Sequence, residues 1–411
     1  MDCIKYINGI KVLQMDSHSD MSFVGINLLA GANYENEEEY GIAHFSEHMF
    51  FKGTSSRNYK EISLEMAKIG GQLNAYTSNS NILLKATAPG KNIKKTAEIL
   101  TDMLFNSTFE ESEIEKERKV ILEEIQMNID EPYYWFFSKI GDELFVPSIG
   151  HNILGTKENV SKFTPDDIRK YLDRVINKNN IMYVFVGKHK SEEIDDIVRS
   201  INIPLDHRYL KEGEQNIYNG KTWSDKKELI LQRDNMLQTH ACLNLKGLSA
   251  LDNLYVDYKI LINALGGGSY SYLFDIIREQ LGLCYHVGAF NVGMELPHIN
   301  ILGIYSSTSP ENKDLLLEKT DELLDKVVKE GLDVEIFDAA KNNYLSDVLS
   351  TTDRSEGIGN RGIRLNSRRN NIICEDIVER INKSDFKTCN MLAEKLLSQE
   401  KRWSVMNPSE K

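Results

Sequence analysis

The segment His44-Phe45-Ser46-Glu47-His48 has the pattern H-x-x-E-H. If the segment is helical, His44 and His48 lie one turn apart and point in the same direction. Two imidazoles at that spacing can share a zinc ion, and the carboxylate of Glu47 beside them can take a proton from a metal-bound water. The pattern therefore predicts a zinc site of the inverted peptidase type. The alternative at this point is an ordinary helix that carries two histidines and a solvated carboxylate.

The composition of the chain limits what surrounds this motif. A length of 411 residues predicts two or more domains, and 41% hydrophobic with 27% charged residues is typical of a soluble globular protein. The net charge of -13 argues against a nucleic-acid partner, which needs basic patches. No apolar run reaches the length of a membrane span, and no secretory signal is evident, so we expect a cytoplasmic bacterial protein without a membrane partner. The five cysteines include no C-x-x-C pair, which argues against a cysteine zinc site.

Two parts of the sequence follow the same plan. In the first part, Ala88-Pro89-Gly90-Lys91 precedes a helical pattern, and Phe109-Glu110-Glu111 precedes a longer one. In the second part, Ser309-Pro310-Glu311-Asn312 and Leu332-Asp333-Val334 stand in the equivalent places. A repeat with a period of about 220 residues predicts an internal duplication, that is, two similar α/β domains. The alternative is a coincidence of the general α/β order.

The boundary between the two domains is expected in a polar stretch without clear periodicity. The predicted organisation is a zinc-binding domain at 1–206, a linker at 207–227 and a second domain at 228–411. In the second domain, Ile260–Gly268 stands in the place of the H-x-x-E-H segment and holds none of its residues. We therefore expect the second domain to be an inactive duplicate.

A third metal ligand is expected in the acidic helix predicted at Glu110–Met127, because a catalytic zinc usually has three protein ligands and a water. Glu117 and Glu124 lie two turns apart on a face that borders the predicted buried stripe of Ile114, Val120, Ile121, Ile125 and Met127. A carboxylate near a buried face needs a partner, which a metal can supply. The other acids of this helix are interpreted as a solvated face.

Other segments give weaker signals. Ile181–Val186 reads as a strand, and Leu73–Thr87 is rich in strand-forming residues. Gly357–Gly362 is interpreted as a glycine-rich connection, with a hinge or a lid loop as the alternative. Five histidines lack ligand spacing and are interpreted as structural or exposed: His151, His207, His240, His286 and His298.

The motif and the residues after it, Met49-Phe50-Phe51-Lys52-Gly53-Thr54, resemble the M16 peptidase family, which includes pitrilysin, insulin-degrading enzyme and the mitochondrial processing peptidase. The family signature places a glutamate ligand about 75 residues after the second histidine, which is the position of Glu124. The run from Glu117 to Glu124 is similar to the second family motif. The resemblance implies that Glu117 supports catalysis without binding the metal.

The resemblance also implies a fold and an assembly. The fold is α+β, with two duplicated α/β-sandwich domains of the LuxS/MPP-like metallohydrolase type, each a mixed sheet covered by helices. The length of the chain matches the short, M16B-like subfamily, in which two chains form a clamshell. We expect one Zn²⁺ per chain and a homodimer. The alternative is a heterodimer with an inactive homologue, and a non-catalytic core-type subunit is a further alternative.

Two more stretches resemble family motifs. Gly70–Thr77 is similar to the strand that pairs with an extended peptide substrate, which implies substrate-binding roles for Asn74, Ala75 and Thr77. The stretch that ends at Tyr285 is similar to the arginine–tyrosine motif, so Arg278 and Tyr285 are expected to bind substrate carbonyls and stabilise an oxyanion. The expected activity is zinc-dependent hydrolysis of short or unfolded peptides inside a closed chamber.

Overall fold

The computed structural model describes residues 3–200, 223–249, 252–293, 300–366 and 376–409. The chain divides into two compact units. The first combines Met1–Asp130, Pro147–Asn219 and Ser350–Cys374, and the second combines Glu131–Val146, Gly220–Leu349 and Glu375–Lys411. Residues 207–222 of the predicted linker lie outside the described residues. The predicted domain boundaries therefore stay a prediction. Among the described residues, no helix is both long and apolar enough to cross a membrane.

The first unit contains a mixed sheet. Its strands are β1 Cys3–Ile7, β2 Ile10–Met15, β3 Met21–Leu28, β4 Gln72–Thr77, β5 Ile82–Pro89 and β6 Ile181–Val186. Their spatial order is β1-β2-β6-β3-β5-β4. The β2/β6 pair is parallel, and the other neighbouring pairs are antiparallel. Every residue of β6 is buried, as expected of a central strand that is covered on both faces.

The second unit contains a sheet with the same plan. Its strands are β7 Leu229–Arg233, β8 Thr239–Lys246, β9 His286–Gly293, β10 Asn300–Thr308 and β11 Arg402–Pro408. Their order is β7-β11-β8-β10-β9, with β7 and β11 parallel and the other pairs antiparallel. This order and these directions repeat those of β2-β6-β3-β5-β4. The predicted duplicated α+β fold is confirmed.

Helices pack against both sheets. In chain order they are α1 Ile42–Phe50, α2 Tyr59–Lys68, α3 Ile93–Asn106, α4 Glu111–Asp130, α5 Pro132–Leu144, α6 Pro147–Gly150, α7 Lys157–Val160, α8 Pro165–Val175, α9 Ser191–Ser200, α10 Tyr255–Gly266, α11 Lys313–Glu330, α12 Val334–Thr352, α13 Ser355–Asn366, α14 Asp376–Lys383 and α15 Phe386–Leu397, with a π-helix at Leu273–Gln280. Side chains cap several of them. At the start of α2, the Asn58 side chain accepts hydrogen bonds from backbone N–H groups, and Glu61 accepts one from Asn58 N.

Each unit contains one helix from the other half of the sequence. Helix α5 belongs to the second unit, where the ring centroid of Phe137 lies 5.7 Å from that of Phe290 and 5.5 Å from that of Tyr305. Helix α13 belongs to the first unit. The two helices occupy equivalent places in the duplicated plan, since each follows the long helix of its half directly, α5 after α4 and α13 after α12.

The interpretation of Gly357–Gly362 as a loop was wrong, because this stretch lies within α13. Its glycines allow the helix to lie close to the sheet. A Cβ at Gly359 would come within 2.4 Å of the Phe23 ring, and a Cβ at Gly362 within 2.4 Å of the Met15 side chain. The packing of the helix on the sheet therefore outweighs the low helix propensity of glycine.

Candidate metal centre

Helix α1 carries the H-x-x-E-H segment. Its N-cap residue, Gly41, has a φ of 102°, a left-handed conformation that glycine adopts at little cost. Phe45 and Phe50 are fully buried in the core of the first unit and anchor the helix there. One helical turn separates His44 from His48, and their ring centroids lie 4.6 Å apart. The two histidines therefore share one face of a helix, as the spacing predicts.

Glu124 on α4 lies opposite these histidines. The Nε2 atoms of His44 and His48 are 3.7 and 3.8 Å from Glu124 Oε2. The potential ligand atoms of these three side chains all lie within 4.8 Å of one another. Among the described residues, this is the group of potential ligand side chains that could hold a metal ion. Zinc binds such atoms at about 2.0–2.2 Å, so two ligands of one ion lie about 3–4 Å apart. Small shifts would let all three share one ion.

The protonation state of His44 also suits a metal. Burial and, next, the neighbouring His48 lower the pKa of His44 to about 3. His44 is therefore a neutral imidazole at neutral pH, which is the form that binds a metal. Two imidazoles and one carboxylate leave a fourth tetrahedral position for a water or a substrate. The residues present thus fit a zinc ion.

The position of Glu124 follows from the buried stripe of α4. That stripe consists of residues three or four positions apart: Ile114, Glu117, Ile121 and Ile125. The inclusion of Val120 and Met127 in the stripe was wrong, since both are exposed. They lie outside the 3.6-residue period that the buried residues follow. Glu124 lies at the border of the stripe, partly exposed, where its carboxylate reaches α1.

Glu117 contacts His48 instead of joining the cluster. His48 Nδ1 lies 3.0 Å from Glu117 Oε2, and Lys52 Nζ forms an ion pair with Glu117 Oε1. Burial alone would raise the pKa of Glu117, but the hydrogen bonds from His48 and Lys52 outweigh burial and lower this pKa. An anionic Glu117 accepts a hydrogen bond from the Nδ1–H of His48, so that the unprotonated Nε2 faces Glu124.

The contribution of Lys52 was missed in the sequence. Lys52 lies two residues beyond the end of α1, within the Phe51-Lys52-Gly53-Thr54 run, and this run alone assigns it no role. The contact becomes visible only when α4 packs against α1. The sequence alone does not identify the partner of Lys52, because any of several acidic residues on α4 could have formed this long-range ion pair.

Glu47 also lies on α1 and has a hydrogen-bond partner on β4. Thr77 Oγ1 donates to Glu47 Oε2 at 2.7 Å. Burial raises the pKa of Glu47, while the Thr77 hydrogen bond and the nearby His48 act in the opposite direction. A carboxyl group with a raised pKa can exchange a proton near neutral pH more readily than an exposed one. The hydroxyl of Thr77 contacts Glu47, and the substrate-binding role of Thr77 stays a prediction.

The other residues expected on the substrate strand lie on β4 at the edge of the first sheet. Asn74 is exposed and Ala75 is partly buried. The Ala75 backbone N–H donates to Asn74 Oδ1 at 2.8 Å. An edge strand can pair with another extended chain through its free backbone groups.

Arg278 and Tyr285 lie in the second unit. The Arg278 guanidinium carbon is 4.8 Å from the centroid of the Tyr285 ring and 4.5 Å from that of Phe274. These are cation–π distances, so the two aromatic rings hold the arginine in place. The Tyr285 side chain is largely exposed. The predicted pair is therefore in mutual contact.

The duplicated α+β fold, with a cluster of two histidines and one carboxylate, defines the chain as a candidate metallohydrolase. Residues 11–145 match the family model "Insulinase (Peptidase family M16)", and residues 162–344 match "Peptidase M16 inactive domain". An uncharacterized zinc protease of Rickettsia felis is 33% identical over 364 residues, which cover 86% of this chain and 85% of the relative. The chain belongs to peptidase family M16.

Other similar proteins agree with this assignment. The uncharacterized zinc protease YmxG of Bacillus subtilis is 27% identical over 408 residues, which cover 98% of this chain and 97% of the relative. The beta subunit of the human mitochondrial-processing peptidase is 34% identical over 195 residues, which cover 47% of this chain and 40% of the subunit. The crystal structure of a protease from Helicobacter pylori has a TM-score of 0.89 at 18% identity and covers 99% of both chains, which supports the fold.

Proposed function

We propose that this chain is a zinc-dependent endopeptidase that hydrolyses short or unfolded peptides. The observation that carries the proposal is the convergence of His44 Nε2, His48 Nε2 and the Glu124 carboxylate, all within 4.8 Å. The same helix that supplies the two histidines supplies Glu47, a partly buried carboxylate with a raised pKa. Family membership and relatives named zinc proteases support this activity.

Each residue of the site has a distinct role in the proposed mechanism. His44, His48 and Glu124 would hold one Zn²⁺ per chain. A bound zinc ion would supply a water of lowered pKa and a Lewis acid for the carbonyl of the scissile bond. Glu47 takes a proton from the attacking water and later gives it to the leaving amine. Glu117 keeps the His48 ring oriented through the 3.0 Å contact at Nδ1.

The substrate is proposed to bind as an added strand along β4. The Ala75 N–H, now bonded to Asn74 Oδ1, would donate to a substrate carbonyl once the Asn74 side chain turns away. The hydroxyl and the backbone N–H of Thr77 both donate to Glu47, so Thr77 would contribute its backbone carbonyl to this pairing. Arg278 and Tyr285 bind substrate carbonyls and stabilise the oxyanion, because both donate hydrogen bonds and Arg278 keeps its charge. Backbone pairing of this kind selects extended peptides and gives a loose sequence preference.

A homodimer that encloses the site in a chamber is the proposed assembly, since the chain carries both the metal cluster and the arginine–tyrosine pair. The alternative is a catalytic subunit that needs an inactive homologue, which the similarity to a processing-peptidase beta subunit favours. Sedimentation and activity of the chain purified alone separate the two. A dimer with full turnover supports the homodimer, whereas an inactive chain that binds zinc supports the partner.

The test of the activity is cleavage of a library of quenched fluorescent peptides by wild type, Glu47→Gln and Glu123→Gln. Glu123 is an exposed neighbour of Glu124 and serves as the matched control. We expect all three proteins to bind zinc, wild type and Glu123→Gln to cut peptides, and Glu47→Gln to lose at least about 100-fold in kcat. Zinc-loaded wild type that cuts no peptide, alone or with added homologue, would refute the proposal.

A further inference from the structure

The start of α1 is capped by a buried carboxylate from upstream in the sequence. Glu35 Oε2 accepts a hydrogen bond from Gly41 N at 2.9 Å, and Glu35 Oε1 accepts one from Ala43 N at 2.7 Å. The Glu35 side chain is completely buried. The first N–H groups of a helix have no partner within the helix, and the N-cap residue Gly41 has no side chain to supply one. Glu35 therefore fills the role that a capping side chain usually fills.

Glu35 is itself held by His151. Glu35 Oε2 lies 3.0 Å from His151 Nε2, and His151 Nδ1 lies 3.0 Å from Pro147 O. A carbonyl oxygen only accepts hydrogen bonds, so Nδ1 carries a proton. The contact between Nε2 and the carboxylate requires a second proton, shared by the two groups. The pair therefore carries no net charge in its buried setting, whichever group holds this proton.

The segment that carries His151 packs closely on the start of α1. The rings of Tyr40 and His151 stack with centroids 3.7 Å apart and 9° between their planes. A Cβ at Gly155 would lie 2.0 Å from Tyr40 O, and a Cβ at Gly41 would lie 2.6 Å from Leu154 O. Neither contact leaves room for the helix start to shift toward this segment.

The two histidines of the cluster differ in what orients them. His48 Nδ1 is held by Glu117, as described above. His44 Nδ1 is buried and has no hydrogen-bond partner among the described residues. The place of His44 Nε2 therefore depends on the backbone of α1 and on packing. The residue before His44, Ala43, donates its backbone N–H to Glu35.

We propose that Glu35 and His151 are positioning residues of the metal centre, and that this buried pair fixes the first turn of α1 and with it His44 Nε2 relative to Glu124. The inference rests on the proposed zinc site but concerns residues that do not touch the metal. Outer partners of this kind affect metal affinity, and their loss typically costs about 10- to 100-fold.

The test compares zinc affinity with folding stability in four purified proteins. Wild type, Glu35→Gln, His151→Gln and the double variant are titrated with zinc against a chromogenic chelator, well below the unfolding temperature of each. We expect each single variant to raise the zinc Kd by about 10-fold or more. Because the two residues act as one unit, the double variant should be little worse than either single variant.

Glu61→Gln is the matched control. It makes the same carboxylate-to-amide change as Glu35→Gln at the residue that accepts a hydrogen bond from Asn58 N in the cap of α2, a helix that carries no proposed ligand. It should lower the melting temperature slightly and leave the zinc Kd unchanged. A rise in Kd at Glu35 without a rise at Glu61 then cannot come from a general loss of stability. His151→Gln keeps both backbone bonds of Glu35 and provides the answer if Glu35→Gln does not fold.

The outcomes are distinct. Wild type that binds no zinc refutes the proposed function itself. Wild type that binds zinc, together with an unchanged Kd in the variants that fold, overturns only the positioning role. Additive effects in the double variant contradict the pair as a unit.

Discussion

Thr77 Oγ1 donates a 2.7 Å hydrogen bond to Glu47 Oε2 and thereby links strand β4 to helix α1. The proposed base and the proposed substrate strand are thus joined directly. By holding β4 against Glu47, this bond would also hold a substrate paired with β4 at a fixed distance from Glu47. Orientation of a proton-transfer group matters because efficient transfer requires hydrogen-bond distance to the reacting proton.

Thr77→Val removes this hydrogen bond and keeps the shape of the side chain. A net hydrogen bond is worth about 1 kcal/mol, so we expect kcat to fall by about fivefold to tenfold with little change in KM or zinc content. The bond lowers the pKa of Glu47, so its loss raises that pKa and moves the acid limb of kcat/KM to higher pH. Steady-state rates across pH measure both effects. Thr77→Ser, which keeps the hydroxyl, should restore them, and equal losses in both variants would contradict the assignment.

Lys52→Met tests the ion pair that holds Glu117. Without the lysine, Glu117 loses one of the two partners that keep it anionic, and its hold on His48 Nδ1 weakens. We expect the zinc Kd to rise by about tenfold, although no ligand is removed. Lys119→Met on the exposed face of α4 is the control. A competition titration gives the result, and equal affinity in both variants would argue against a role for Lys52.

Zinc binding is expected to stabilise the fold, because the ligands come from two helices, α1 and α4. At a free zinc concentration of 100 times Kd, linkage predicts about 2.7 kcal/mol of added stability. Denaturant unfolding of the protein with zinc and with a chelator measures the difference. Glu124→Gln should show a much smaller gain from zinc. The same gain in Glu124→Gln as in wild type would place the ion elsewhere.

Gly359→Ala tests the packing of α13 on the first unit. The new methyl group would come within 2.4 Å of the buried Phe23 ring, and such overpacking costs about 1–3 kcal/mol. Arg364→Ala, at an exposed position of the same helix, should change the free energy of unfolding by less than about 0.5 kcal/mol. Urea unfolding compares the two. A stabilising effect of Gly359→Ala, as helix propensity alone would give, would contradict the packing.

The metal centre could be predicted largely from the sequence because its strongest signal is local. His44 and His48 are four residues apart, and helix geometry alone brings them together. Glu124 came from a family spacing, since no local rule brings residues of two helices together. The contacts of Thr77 with Glu47 and of Lys52 with Glu117 were not predictable, because each depends on how two separate elements pack.

The fold shows the same limit. Leu73–Thr87 reads as one stretch of strand formers, and the structure divides it into β4 and β5 of a hairpin. Gly357–Gly362 has low helix propensity and is nevertheless helical, because the sheet residues it contacts are far away in the sequence. Local sequence patterns therefore predicted the helices and strands that local propensity determines, and tertiary packing determined the others.

The central claim is that His44, His48 and Glu124 hold a catalytic zinc ion. The most direct test is an anomalous difference map, recorded above and below the zinc absorption edge, from crystals of Glu47→Gln grown with zinc and a peptide. We expect one peak per chain within about 2.0–2.2 Å of both Nε2 atoms and the Glu124 carboxylate. A peak at other side chains, or none at this cluster in zinc-loaded crystals, would contradict the account.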